Sequence, residues 1–359
     1  MKYYIVTGEP SGDLHAANLV SELKQVDAKS VFRAWGGERL IAEGVSLAKH
    51  INETAFMGLL NVIKNLRTIK ANLDFCKSDI LSFNPDAIIL VDYPGFNLKI
   101  AEFAKKNGIK VFYYISPKVW AWNKSRVPKI KKYVDHLLVI FPFEVDFYKK
   151  HGISAIYVGN PLLDEIVKNR EELTLKSEKE IIALLPGSRK QEIEKMLPEM
   201  LNVINDFPQY SFVIAATNTF SKEYYQSFIK KKDVEFVFDE TYSLLDKSSF
   251  ALVTSGTATL ETALFKVPQL VCYKTNWLTY SIAKSLIKID YLSLVNILMD
   301  KLVVKELIQS ELNKDNLIFE LNNIIKEKES IIKDYDKLIH LLDKKGASKN
   351  AAQFIAKTI

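Results

Sequence analysis

Ala87-Ile88-Ile89-Leu90-Val91-Asp92-Tyr93-Pro94-Gly95-Phe96-Asn97 is the stretch on which the fold turns. A continuous apolar run of this length reads as a strand covered on both faces, the situation inside a parallel sheet. It stops at a carboxylate and a Pro-Gly pair, after which Leu98–Asn107 reads as a helix closing at Gly108. Working outward, Tyr3–Thr7, Lys110–Ile115 and His136–Phe141 read as further strands, and Leu14–Lys24 as a helix. This βαβ rhythm implies a doubly wound α/β domain.

A charged stretch, Lys168–Lys179, interrupts the rhythm, which then resumes. Glu180–Leu185, Tyr210–Ala216, Val234–Phe238, Phe250–Thr254 and Gln269–Tyr273 read as strands of a second Rossmann-like domain. The expected domains are residues 1–168 and 169–339, with the charged stretch as hinge. From Leu317 to Ile359 the chain reads as helical and rich in Lys and Glu.

Composition agrees with two packed cores. The chain has 359 residues, 48% of them apolar. Its charge of +6, from 49 Lys and Arg against 43 Asp and Glu, favours an anionic partner such as a phosphate, nucleotide or acidic lipid. No basic stripe points to nucleic acid. Cys76 and Cys272 stand far apart outside any CxxC pattern, which argues against a disulfide framework or zinc site. The compartment reads as reducing. The N-terminus meets a turn too soon for a signal peptide, and no apolar run is long enough to span a bilayer.

Ligands of open parallel sheets bind beyond the carboxyl ends of the strands, and four turns fall there. Gly8-Glu9-Pro10-Ser11-Gly12-Asp13 joins a strand to a helix; it is either an anion-binding turn or a plain one capped by Ser11 or Asp13. Asp92 ends an apolar strand, where partial desolvation suits a general base, and a capping role ahead of Pro-Gly is the alternative. Gly187-Ser188-Arg189 follows a strand and reads as a diphosphate cradle, with a surface loop as alternative. Ser255-Gly256-Thr257 with Glu261 one helical turn on reads as a nucleotide turn, the carboxylate facing a ribose diol; otherwise Thr257 caps the helix.

Asp334-Tyr335-Asp336 lies in the helical tail and reads as a solvated helix face, not a metal site. The five histidines show no ligand spacing. Neither metal nor cofactor is expected. Two stretches look amphipathic with basic edges, Phe56–Arg67 and Trp277–Lys288; each is a core helix or a helix lying in a lipid interface.

The four turns resemble those of the lipid-A-disaccharide synthases. So do Ser116-Pro117-Lys118-Val119-Trp120-Ala121-Trp122, Phe141-Pro142-Phe143-Glu144 and Asp290-Tyr291-Leu292-Ser293-Leu294-Val295-Asn296. The motifs follow the family order over nearly the whole chain. The resemblance implies a GT-B type glycosyltransferase: two Rossmann-like domains facing across a cleft, with UDP held mainly by the C-terminal one. In that fold the last helix returns to the first domain, so residues from about 340 to 359 are assigned there.

The implied reaction moves 2,3-diacylglucosamine from its UDP derivative to 2,3-diacylglucosamine 1-phosphate. It gives a β-1,6 disaccharide 1-phosphate and UDP, with inversion, on the inner face of the inner membrane of a Gram-negative bacterium. Asp92 becomes the base, with Glu9 and Ser11 beside the reacting sugars. Gly187, Ser188 and Arg189 meet the diphosphate; Ser255, Gly256, Thr257 and Glu261 meet the nucleotide; Asn296 matches a polar position at the cleft. Phe56, Met57, Leu59, Leu60, Ile63 and Arg67 are the expected acyl-chain and membrane contacts, and a second copy of the chain is a candidate partner. Three positions depart from the family pattern: Pro10 for Ala, Asn160 for His, and Gly95 for a second loop acid. The rival readings are a UDP-sugar 2-epimerase and an inactive membrane-associated nucleotide-binding module.

Overall fold

The structure is a computed structural model that describes residues 1–53, 66–120, 124–168, 179–229, 234–277, 280 and 290–359. The chain divides into two compact units, Met1–Asp164 with Lys344–Ile359, and Glu165–Asp343. The division falls inside the helix Pro161–Lys168. Residues 169–178, most of the stretch expected to act as hinge, lie outside the described residues.

The first unit holds β1 (Lys2–Val6), β2 (Val31–Gly36), β3 (Ser46–His50), β4 (Ala87–Val91), β5 (Lys110–Tyr114), β6 (His136–Val139) and β7 (Ala155–Tyr157). They form one sheet in the order β3-β2-β1-β4-β5-β6-β7, every neighbour parallel. Along β4, Ala87, Ile89 and Val91 enter one core, and Ile88 and Leu90 enter the other. Two covered faces are the reason the run is apolar without alternation. β2, β3 and β7 escape a reading by pattern. Each carries a polar residue or is only three residues long, and β3 and β7 are the half-buried edges of the sheet.

One polar cluster pins a helix to this sheet. Arg33 of β2 forks onto Asp79 of the helix Leu66–Phe83, with both bonds at 2.7 Å, and the Tyr4 hydroxyl donates to the same carboxylate at 2.7 Å. Burial alone would raise the Asp79 carboxyl; the bonds and charge of Arg33, with Tyr4, outweigh it and hold the group below its ordinary value. A lowered folded-state value contributes stability above the unfolded carboxyl range, and that contribution is lost as pH falls through the folded value. Asp79→Asn is expected to cost about 2 kcal/mol at neutral pH, below the range for a fully buried pair because Arg33 keeps some solvent. Urea denaturation checks this, and the gap from wild type should narrow in acid.

The C-terminal helix Ala347–Thr358 packs on the helix Pro10–Val26, with Ala351, Ala352 and Ile355 in one core with Ala16, Leu19, Val20 and Leu23. Alanines on both sides let the two backbones approach. Asp164 caps the helix, accepting from the N–H groups of Gly346 (2.8 Å) and Ala347 (2.7 Å), and Asn350 donates to the Val158 carbonyl at 2.9 Å.

The second unit holds β8 (Ile181–Leu185), β9 (Ser211–Ala216), β10 (Glu235–Phe238), β11 (Ser248–Thr254), β12 (Gln269–Tyr273) and β13 (Glu306–Ile308), again all parallel, in the order β10-β9-β8-β11-β12-β13. The tail reads out as the helices Lys314–Lys326, Lys328–Leu341 and Ala347–Thr358. Asp334 accepts from Lys301 and Lys337, Asp336 pairs with Lys266, and Tyr335 between them is buried.

Candidate active site

In both sheets the strand order reverses beside the first strand, between β1 and β4 and between β8 and β11. Ligand crevices of doubly wound sheets open at such points. The four turns singled out in the sequence stand at the ends of these same four strands.

Beyond β1, Glu9 is extended (φ −145°, ψ 158°) and precedes the helix Pro10–Val26, which its own side chain does not cap. Ser11 is exposed. Asp13 does not cap its own helix, the alternative left open by the sequence. Its buried carboxylate accepts from the N–H groups of Gly37 (2.6 Å) and Arg39 (3.0 Å), and so caps the helix Glu38–Ala42 instead. Burial pushes His15 down to about 4, which keeps the ring neutral.

Beyond β4, Asp92 (φ +44°) and Tyr93 (φ +47°) both take the left-handed conformation, and Ile115 beyond β5 does so at +60°. Non-glycine residues in this region cost about 1–3 kcal/mol each and gather at functional sites. Gly8 is required where it stands, because a Cβ there would lie 2.2 Å from the Tyr93 ring. Asp92 as a residue is exposed to solvent. Its carboxyl is nonetheless surrounded by enough protein that lost hydration is the largest influence on it. With the Glu9 charge, this pushes it up to about 6 against the opposing pull of Lys118, the Tyr93 N–H and Arg126. Glu9, across the sheet, is thus the carboxylate whose charge acts on Asp92.

Lys118 rides on a loop organised by a buried carboxylate. Glu144 accepts from Ser116 Oγ (2.8 Å), Trp120 Nε1 (3.2 Å) and the Phe141 N–H (3.1 Å), and Tyr148 donates to Ser116 Oγ at 3.2 Å. Burial pushes Glu144 up to about 7 despite these donors.

In the second unit, Gly187 (φ +98°) turns the chain out of β8. Glu192 caps the helix Lys190–Leu201: its carboxylate accepts from the N–H groups of Ser188 and Arg189, each at 3.2 Å, and from Arg189 Nη1 at 3.2 Å. The N–H groups expected to cradle a diphosphate thus already hold an internal carboxylate. The helix Thr257–Leu264 differs: its N-cap is Gly256, so Thr257 is not a cap, no side chain among the described residues caps it, and the space beside Gly256 is open. Ser255 Oγ donates to the Leu292 carbonyl at 3.4 Å. Glu261 accepts from the Tyr242 hydroxyl at 3.2 Å, and burial raises its carboxyl above the ordinary value.

Asn296 is held within the protein. It is fully buried, its amide nitrogen donates to the Val304 carbonyl and Glu306 Oε1 (both 2.8 Å), and its oxygen accepts from the N–H groups of Val303 (2.8 Å) and Val304 (2.9 Å). With every amide group engaged, it supports the 290–296 segment from within.

The family described as lipid-A-disaccharide synthetase matches residues 3–359 of the chain. The lipid-A-disaccharide synthase of Syntrophus aciditrophicus is 39% identical over 364 residues, covering 97% of this chain and 95% of that protein. That of Coxiella burnetii (strain CbuG_Q212) is 34% identical over 99% of this chain and 98% of its own. The chain belongs to the lipid-A-disaccharide synthase family. It is a glycosyltransferase of the hexosyltransferase class.

Solved structures show the fold. UDP-GlcNAc 2-epimerase from Neisseria meningitidis bound to UDP-GlcNAc matches with TM-score 0.62 at 15% identity, covering 100% of this chain and 99% of that one. Acinetobacter baumannii MurG matches with TM-score 0.62 at 10% identity, covering 99% of both chains. The architecture is of the GT-B type.

Against the family pattern, the departures have local explanations. Pro10 takes the first helical turn, where its missing N–H and fixed φ are favourable. Gly95 is exposed, with nothing near the place of a Cβ. Asn160 is buried and bridges two elements: its amide donates to the Ile140 carbonyl at 3.3 Å, and its oxygen accepts from the Leu162 N–H at 3.0 Å, at the start of the helix Pro161–Lys168. Phe56, Met57, Leu59, Leu60 and Ile63 lie outside the described residues; Arg67 is exposed in the first turn of the helix Leu66–Phe83. Trp277 is exposed, and most of the stretch after it lies outside the described residues. Among the described residues no helix is long and apolar enough to cross a membrane.

Lys118, Arg126, Glu144, Asn97 and Tyr113 were not read as site residues. Lys118 stands in a motif quoted from the sequence, but only the pairing of β4 with β5 brings it to Asp92; Glu144 acts on the loop that carries Lys118.

Proposed function

We propose that this enzyme transfers 2,3-diacylglucosamine from its UDP derivative to 2,3-diacylglucosamine 1-phosphate, forming a β-1,6 disaccharide 1-phosphate. The carrying observation is Asp92: a carboxylate at the β1/β4 reversal, raised by desolvation and Glu9 into the range of a base working near neutral pH. Asp92 takes the proton of the acceptor hydroxyl as its oxygen bonds to the anomeric carbon; the bond from that carbon to the diphosphate breaks, UDP leaves, and configuration inverts. Glu9 and Ser11 stand at the neighbouring strand end, beside the reacting sugars.

The second unit holds the nucleotide in this reading. The uncapped helix at Gly256 and Thr257 offers N–H groups and a favourable dipole to the diphosphate, with Ser255 adjacent. Arg189, mostly exposed, adds its guanidinium after turning from Glu192, and a swing of the Glu192 carboxylate frees the N–H groups of Ser188 and Arg189. Glu261 keeps its bond to Tyr242 and takes a ribose hydroxyl on its other oxygen. Association with the inner face of the inner membrane, and with a second copy of the chain, belong to the same reading.

Arg189→Ala is expected to weaken UDP binding about tenfold, measured by calorimetry, and to leave uridine binding unchanged. Equal losses for both ligands would remove Arg189 from the phosphates. The reaction itself is tested with UDP-2,3-diacylglucosamine in detergent micelles, with and without the acceptor, following products by mass spectrometry. Acceptor-dependent UDP release with a disaccharide 1-phosphate supports the reading. Acceptor-independent epimerised UDP-sugar, or UDP binding without turnover, overturns it.

A further inference from the structure

The backbone of Asp92 is gripped by two side chains for which the transfer chemistry has no other use. Asn97, fully buried in the first turn of the helix Pro94–Lys106, brings its Nδ2 within 2.8 Å of the Asp92 carbonyl, 3.2 Å of the Val91 carbonyl and 3.3 Å of the Val6 carbonyl. Tyr113 of β5, also fully buried, donates its hydroxyl to the same Asp92 carbonyl at 2.5 Å. The contacts tie together the ends of β1 and β4 and the strand beside them. Asn97 makes them while its own Oδ1 is buried without a hydrogen-bond partner among the described residues. Here the amide is turned so that its nitrogen meets three carbonyls at the place where two successive non-glycine residues hold positive φ.

Such a conformation persists only when its surroundings over-determine it. Without the grip, Asp92 and Tyr93 relax toward ordinary backbone angles, and the Asp92 carboxylate turns with them. We propose that Asn97 and Tyr113 are positioning residues of the glycosyl transfer, locking the Asp92–Tyr93 backbone so that the Asp92 carboxylate stays beside Glu9 at the β1/β4 reversal. The proposal rests on the reading of Asp92 as the base. The charged and titratable groups facing that carboxylate are Glu9 beyond β1, Lys118 beyond β5, Arg126 of the turn Lys124–Arg126, and Tyr113 of β5.

The test uses the full chain, with Tyr113→Phe, Asn97→Ala and Asp92→Asn measured for kcat and for KM of donor and acceptor across pH. Tyr113→Phe and Asn97→Ala are expected to lower kcat about tenfold with KM within about twofold. The acid limb of the kcat profile moves to lower pH as the released carboxyl gains water. On the Asp92→Asn background, Tyr113→Phe should add no further loss. An unchanged kcat and limb in Tyr113→Phe, or the same fold-loss on the Asp92→Asn background, overturns the positioning role while leaving Asp92 as base. Normal turnover of Asp92→Asn overturns the base reading and this inference with it. If Asn97→Ala does not fold, Tyr113→Phe, which keeps the ring and its packing, decides alone.

Discussion

Replacing Asp92 with Asn should lower kcat about a thousandfold, within the range for loss of a general base, and leave the fold intact. Asn keeps the side-chain shape and an oxygen for the Tyr93 N–H, and the Tyr113 hydroxyl and the Asn97 amide hold this residue through its backbone carbonyl. Unchanged thermal unfolding with collapsed turnover would separate chemistry from structure. The wild-type profile provides a second check. A base must be deprotonated to act, so the rate should fall as pH drops through about 6, the value to which burial and Glu9 push the carboxyl. The neighbours then move that limb in opposite directions. Glu9→Gln removes a like charge and shifts it to lower pH; Lys118→Ala removes an opposite charge and shifts it to higher pH. A limb that ignores both substitutions would mean that some other group titrates.

The second large effect is expected at Gly159. Its φ of +103° is strained for any side chain, and a Cβ would lie 2.1 Å from the Lys344 carbonyl oxygen and 3.5 Å from the Ala347 Cα. These are backbone atoms at the start of the C-terminal helix, so no side-chain rotation relieves the clash. Gly159→Ala should therefore cost about 3–5 kcal/mol, the range reserved for backbone incompatibility and lost packing. It should do so by dislodging the helix whose Ala351, Ala352 and Ile355 complete one face of the first core. Gly108→Ala is the control. Gly108 also has positive φ, at +73°, but nothing lies within 4 Å of the added carbon. Only the conformational term of about 1 kcal/mol should appear there. Urea denaturation of the two variants compares them directly, and equal losses would show that φ alone matters.

Much of this protein could be read without coordinates, for local reasons. The apolar run Ala87–Val91 must be a doubly covered strand whatever lies around it, and β4, β8 and β12 fall where pattern places them, to within a residue. Glycines and acids at strand ends mark turns because the chemistry of a turn sits within four or five residues. The motif order also carried the family. The missed strands β2, β3, β7 and β13 are mixed or short, and their hydrogen-bonding partners lie elsewhere in the chain.

What each site residue does was decided by tertiary structure. Asp13 and Asp164 look like acids at helix starts, yet each caps a helix that is remote in sequence. Glu192 occupies the N–H groups of a turn that reads as a phosphate cradle, and Asn296 reads as a ligand contact but is engaged on every side within the protein. Glu9 meets Asp92 only because β1 pairs with β4, and Lys118 only because β5 follows. Periodicity and turn chemistry are properties of neighbours along the chain, so the sequence by itself determined the strands, the turns and the architecture. Charge, burial and hydrogen-bond satisfaction are properties of neighbours in space, so only the strand order decided which carboxylate is raised, which amide is free, and which is already taken.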